Sequence, residues 1–268
     1  MKLGMVMASM GPRATPEILG ACAQAAEAAG IDDLWVPDHL AIPRAESEGS
    51  GGRYLEQLAL LAWLAGRTQR IGLGSALLVA PYRPVLPTLK QIATIQELSA
   101  GRLRLGVGVG WMASEFRALG VPRSQRGALT DAFLERLNAC FASDDAEQNG
   151  QDFVFLPRPA PPPVFVGGAA PHALERAARY ADGWMPMGGD AEGLRPNIEA
   201  LQKRAASHGR GPLEVAPLTR IPVQDLSRAR DWVATYAEAG VTHLIHGAAY
   251  PDVASFERTA EALASLSG

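Results

Sequence analysis

Pro37-Asp38-His39 sets a carboxylate beside an imidazole, and an imidazole takes or gives a proton near neutral pH. The pair is a candidate for acid–base work; the alternative is that Asp38 caps a loop while His39 packs. A second candidate is Arg102–Phe116, RLRLGVGVGWMASEF, where glycines alternate at the end of an apolar stretch. Gly108-Val109-Gly110-Trp111-Met112-Ala113 satisfies the dinucleotide fingerprint G-x-G-x-x-G/A. That fingerprint needs an acidic ribose ligand ending the next strand, whereas Asp131, at about the right distance, falls in a helical pattern. The match is a coincidence of spacing. Gly167-Gly168-Ala169 forms a second cluster. Two such clusters suit the approach of a phosphate to backbone amides; alone, either could merely permit a tight turn.

Other residues carry weaker signals. His243 and His246 form H-x-x-H, but positions three apart on a strand face opposite ways and no third ligand has a readable spacing, so no metal is expected. Trp111, Trp184, Tyr82 and Met187 could wall a planar ligand or belong to the core. Lys90 and Lys203 lie in helical patterns and Lys2 opens a strand, which leaves no Schiff-base lysine for an aldolase-like reaction.

These residues must be positioned by regular elements. Thr15-Pro16 opens a helix that Gly30 closes. Strand patterns at 2–7, 31–36, 70–79, 103–109, 164–167, 183–187, 213–218 and 242–245 alternate with helical patterns, the last spanning 253–266. Residues 144–163 read as irregular, ending in a stiff proline-rich connector. Eight βα units predict parallel strands joined by right-handed crossovers and closed into a (β/α)₈ TIM barrel, one domain over residues 1–268; an open doubly wound sheet is the alternative. Function then belongs at the carboxyl ends of the strands, where Asp38, His39 and both glycine clusters fall.

Composition narrows the classes. The 268 residues are 47% hydrophobic and 20% charged, as in an ordinary globular protein. A net charge of −3 without a cationic run argues against nucleic acid, and no uninterrupted apolar span suggests a membrane, so a cytoplasmic protein is expected. Cys22 and Cys140 are read as buried free thiols.

The segments GIDDLWVPDHL (30–40), RIGLGSALLVAPYRPVLPTLKQIATIQELSAGRLRLGVGVGWMASEFRALGVP (70–122) and PPVFVGGAAPHALERAARYADGWMP (162–186) resemble the bacterial luciferase-like monooxygenase superfamily. The middle block most resembles its branch of oxidoreductases dependent on the deazaflavin coenzyme F420. The resemblance implies a (β/α)₈ barrel with a flavin or deazaflavin at its carboxyl face, and a homodimer. It implies a non-proline cis peptide beside the ring, mapped here to Gly74-Ser75. It places the phosphate-bearing tail on Gly108, Val109, Gly110 and Trp111 and on Gly167, Gly168 and Ala169, with Asp38 and His39 beside the ring. His39 is then the residue that handles the proton of a hydride transfer, supported by Asp38. Related sugar-phosphate dehydrogenases carry Glu directly after the first glycines; Trp111 stands there in this chain. With Met10, Tyr82 and Met187, that position favours an apolar or aromatic small-molecule substrate. The rival readings are an FMN-dependent monooxygenase and a flavin-binding protein without turnover.

Overall fold

The computed structural model describes residues 1–266. Its main sheet is built from parallel strands β1 (Lys2–Val6), β2 (Asp33–Val36), β3 (Gly72–Val79), β4 (Leu103–Gly108), β7 (Val164–Gly167), β8 (Gly183–Met185), β9 (Glu214–Val215), β10 (Leu218–Thr219) and β11 (His243–His246). Helices α1 (Pro16–Ala29), α2 (Gln57–Ala65), α3 (Val85–Leu98), α5 (Arg126–Ala142), α6 (His172–Tyr180), α7 (Ala191–Ser207), α8 (Leu226–Glu238) and α9 (Val253–Ala264) pack around it, and a short helix α4 (Ala113–Ala118) follows β4. The predicted alternation is therefore present.

The ring closes through residues 214–219. On one side Glu214, Ala216 and Leu218 donate backbone N–H groups to Asp182, Trp184 and Pro186. On the other, Thr242, Ile245 and Gly247 donate to Val215, Pro217 and Thr219. Pro217 has no N–H to give, and it divides what is in effect one barrel strand into β9 and β10.

Local chemistry explains the boundaries. The Thr15 hydroxyl accepts from the Ile18 amide, Pro16 occupies the first helical turn, and Gly30 closes α1 at φ 86°. Residues 145–154, read as irregular, instead form the antiparallel hairpin β5 (Asp145–Gln148) and β6 (Gln151–Val154). Asn149 and Gly150 both take positive φ at its turn, as a two-residue hairpin connection requires.

Alternation along the strands separates two cores. Leu34, Leu73, Leu105, Val164 and Leu244 pack toward the helices. Trp35, Phe165, Met185, Ala216 and Ile245 fill the barrel. Two residues before Trp35 and Ile245, the same inward faces carry Asp33 and His243, both fully buried, with Arg104 paired to Asp33. Burial pushes the Asp33 carboxyl up to about 6 against the pull of Arg104, and pushes His243 down to about 3. The amino end of the barrel is thus a polar plug, leaving the carboxyl end as its mouth.

Candidate functional site at the barrel mouth

The chain leaves β2 into Pro37-Asp38-His39, and the two candidate residues part company there. Asp38 is buried and turns toward β3. Its Oδ2 accepts from the Val79 amide at 2.9 Å and from Arg83 Nη1 at 2.6 Å, while Oδ1 accepts from Arg83 Nη2 at 2.7 Å. Arg83 Nη2 also reaches Glu56 Oε1 at 2.6 Å. Burial works against the charge of Arg83, but Asp38 and Glu56 outweigh it and raise its pKa. Asp38 thereby joins the ends of β2 and β3, with both oxygens occupied.

His39 turns to β4's side of the mouth. Its Nδ1 lies 2.9 Å from Oε2 of Glu115, a fully buried residue of α4. Glu115 Oε1 accepts from the Leu40 and Ala41 amides at 2.5 and 2.9 Å. Burial alone would push this carboxyl up; the His39 ring and the two amides outweigh it and hold it at about 2. Tyr54 and Trp111 flank the imidazole edge-on, with ring centroids 4.9 and 6.2 Å away. Glu115 and Tyr54 carried no recognisable signal in the sequence, and Arg83 only its place after the third strand, since only the fold brings them to Asp38 and His39.

The glycines have a more specific reason than loop freedom. A Cβ at Gly108 would meet Leu77 Cδ1 at 3.1 Å, and one at Gly106 or Gly167 would overlap the Leu77 side chain. The three positions form a recess for Leu77. Gly110 has φ 76°, and a Cβ there would meet Val79 Cγ1 at 2.7 Å and the Phe116 ring at 2.9 Å.

The expected cis peptide at Gly74-Ser75 is found two residues on, between Ala76 and Leu77, where the pairing of β3 with β4 shifts register between Ser75 and Leu78. Gly74 instead gives room to the Trp35 indole, and the buried Ser75 hydroxyl donates to the Gly106 carbonyl at 2.8 Å. Both are packing positions within β3.

Val109, Gly167, Gly168 and Ala169 do converge. With Ser124, Arg126, Gly127, His172 and Arg176 they line a cavity of about 370 Å³. Helices α5 and α6 begin at Arg126 and His172, so two helix N-terminal ends, the positive ends of their dipoles, stand at this cavity. Arg176 is already bound to Asp131, at 2.6 and 3.3 Å, which leaves Arg126 as the cation without a carboxylate partner among the described residues. Gly168 takes φ 119°, and its carbonyl accepts from Trp184 Nε1 at 2.9 Å. Cavity, helix ends and cations suit an anionic group such as the phosphate-bearing tail of a flavin-type cofactor.

Of the proposed wall residues, Trp184 is in the core and Tyr82 is buried against Phe116. Burial, with Glu115 beside it, pushes the Tyr82 phenol up. Trp111 and Met187 are 67% and 61% exposed, and with Met10 and Leu40 they follow β4, β8, β1 and β2. Large exposed apolar side chains thus gather at the mouth. The two histidines of H-x-x-H separate: His243 sits in the plug, and His246 Nδ1 accepts the Ile221 amide at 3.1 Å.

Comparison with known proteins agrees with this geometry. The family model described as luciferase-like monooxygenase matches residues 3–266. An uncharacterised protein of Mycobacterium tuberculosis is 32% identical over 252 residues, 85% of this chain and 84% of that one. The FMNH₂-dependent dimethylsulfone monooxygenase of Pseudomonas putida is 28% identical over 165 residues, 58% of this chain and 45% of that one. The coenzyme F420-dependent tetrahydromethanopterin reductase of Methanopyrus kandleri superposes with a TM-score of 0.79 at 16% identity, covering 98% and 97% of the two chains. The structural likeness carries the fold, and the match along the chain carries the lineage: this protein belongs to the luciferase-like monooxygenase family.

Proposed function

We propose that the protein is an oxidoreductase that moves a hydride between coenzyme F420 and a small apolar or aromatic organic substrate. The observation that carries the reading is His39: its imidazole stands at the mouth among exposed apolar side chains, held from behind by a buried carboxylate. A flavin-type cofactor is supported by the family and by the cavity at Gly168 and Arg126. When bound, it supplies the hydride acceptor or donor. Val109, Gly167, Gly168, Ala169 and Arg126 are the residues proposed to hold its tail, with Gly108 ending β4 and Gly110 and Trp111 in the loop that follows.

The chain's own task is the proton. When a substrate C–H leaves as hydride and its O–H becomes a carbonyl, His39 Nε2 takes the hydroxyl proton; in the reverse direction it returns that proton. Asp38 acts at one remove, fixing the loop through Arg83. Among the described residues no cation is free to meet a substrate anion beside His39, where Arg83 is spent on Asp38 and Glu56, which favours an uncharged substrate. The resemblance-based expectation of a homodimer belongs to the same reading, and sedimentation of the purified chain tests it.

Titration with coenzyme F420 and with FMN, read by absorbance, tests the cofactor. Tight F420 binding with weak FMN binding is the expected result. The reverse overturns it in favour of an FMN-dependent monooxygenase, for which the dimethylsulfone monooxygenase relative speaks. Binding of F420 without hydride transfer to any alcohol or enone in a panel would leave a carrier.

A further inference from the structure

Glu115 is fully buried behind the mouth, and its two oxygens are divided in a way that fixes the chemistry of His39. Oε1 accepts two backbone N–H groups, from Leu40 and Ala41. A backbone amide can only donate, so this oxygen position must be an acceptor. Oε2 faces His39 Nδ1 at 2.9 Å. The carboxyl is ionised, since the donors around it overcome its burial, and an ionised carboxylate has no proton to offer. Nδ1 must then be the donor.

We infer that Glu115 is a positioning residue that locks neutral His39 in the Nδ1–H tautomer, presenting the bare Nε2 lone pair to the mouth. No side chain or backbone group among the described residues bonds Nε2, and the imidazole is 18% exposed. Tyr54 and Trp111 contact the ring edge-on, so they restrict its rotation without competing for either nitrogen. The inference deepens the proposed function, because only this tautomer can accept a substrate proton at Nε2; the tautomer itself stands on the hydrogen bonds and ionisation of Glu115 and not on the proposed reaction.

The same division of labour predicts what an isosteric change does. In Glu115→Gln the Leu40 and Ala41 amides hold the amide oxygen at the Oε1 position, since an NH₂ there would face two donors. The NH₂ then takes the Oε2 position and donates to Nδ1. His39 is switched to the Nε2–H tautomer with little change of shape.

The experiment is ¹⁵N NMR of ring-labelled histidine in the whole cofactor-free protein at alkaline pH, with the His39 signals identified by their loss in His39→Gln. The parent is expected to show a protonated Nδ1 and a bare Nε2, and Glu115→Gln the two exchanged. A parent with Nε2–H overturns the inference without any variant having to fold, and so does a folded Glu115→Gln with unchanged ring signals. With F420 bound, kcat for hydride transfer is expected to fall on the order of 10²–10⁴-fold in Glu115→Gln while cofactor affinity holds, the loss expected of a misassigned proton acceptor. Exchanged ring signals in a protein that transfers no hydride in any form would sink the proposed function and leave the tautomer lock standing. Exchanged ring signals with unaltered kcat would show that Nε2 does not take the proton, and would overturn the lock's catalytic purpose.

Discussion

Arg83 grips Asp38 with both terminal nitrogens, at 2.6 and 2.7 Å, at a place where the Asp38 carboxylate is wholly inside the protein. Removing one member of a buried pair strands the other charge. Asp38→Ala is therefore expected to lose about 3 kcal/mol of stability, somewhat moderated because Glu56 still meets Arg83. Urea unfolding measures it; a loss below about 1 kcal/mol would show the pair to be ornamental.

Glu115 makes the fold sensitive to acid. Its carboxyl titrates near 2 in the folded protein against an ordinary 4.5, so folding favours the ionised form. The stability this contributes is complete above pH 4.5 and is lost as pH falls toward 2, on the order of 3 kcal/mol in all. At higher pH the plug carries opposing effects: His243, lowered to about 3 by burial, costs stability as pH falls below 6.5, while Asp33, raised to about 6, returns stability as it takes up a proton over an overlapping window. Denaturation midpoints followed against pH should therefore be compared below pH 4.5, where the parent loses the Glu115 contribution and Glu115→Gln should not. An unchanged slope below pH 4.5 in the variant contradicts the assignment.

The recess around Leu77 predicts a pairwise effect. Gly167→Ala places a methyl against the Leu77 side chain and should cost about 1–3 kcal/mol, with Leu77→Ala in the same chain restoring part of it. Gly106→Ala should be worse and not rescued, since its methyl also meets the Ser75 carbonyl, which cannot rotate away. Additive effects of Gly167→Ala and Leu77→Ala in a double-mutant cycle would break the argument.

The cavity beside Gly168 predicts a charge effect on binding. Arg126→Ala should weaken binding of the cofactor by about tenfold or more, with a shallower dependence on salt than the parent shows. Arg176→Ala should do less, because Asp131 already holds that guanidinium. Equal affinities across the three proteins, by fluorescence titration, would move the tail elsewhere.

What the chain declared in advance and what it hid differ in physical kind. Helix α1 was legible because its signals are local: the Thr15 hydroxyl, Pro16 and the left-handed Gly30 each act within a turn. The barrel followed from periodicity, and the candidate loops from the barrel. Glu115 was not legible, because within Ala113–Ala118 it reads as one more polar helix residue, and only the packing of α4 under the β2 loop makes it the partner of His39. Leu77 was invisible for a like reason, as was the demand it places on glycines in two other strands. The hairpin is a different case, for Asn149-Gly150 is a strong turn signal that the surrounding polar residues masked.

The run from Glu214 to Thr219 is bonded on both sides, so among the described residues the barrel offers no unpaired strand border to a passing chain. The hairpin of β5 and β6 is the exception among the described strands, a two-stranded ribbon with two open borders and a 63% exposed Val154. Asp145, Glu147 and Asp152 stud it with like charge. Neutralising those three carboxylates should promote self-association through that ribbon, without disturbing the mouth where His39 stands.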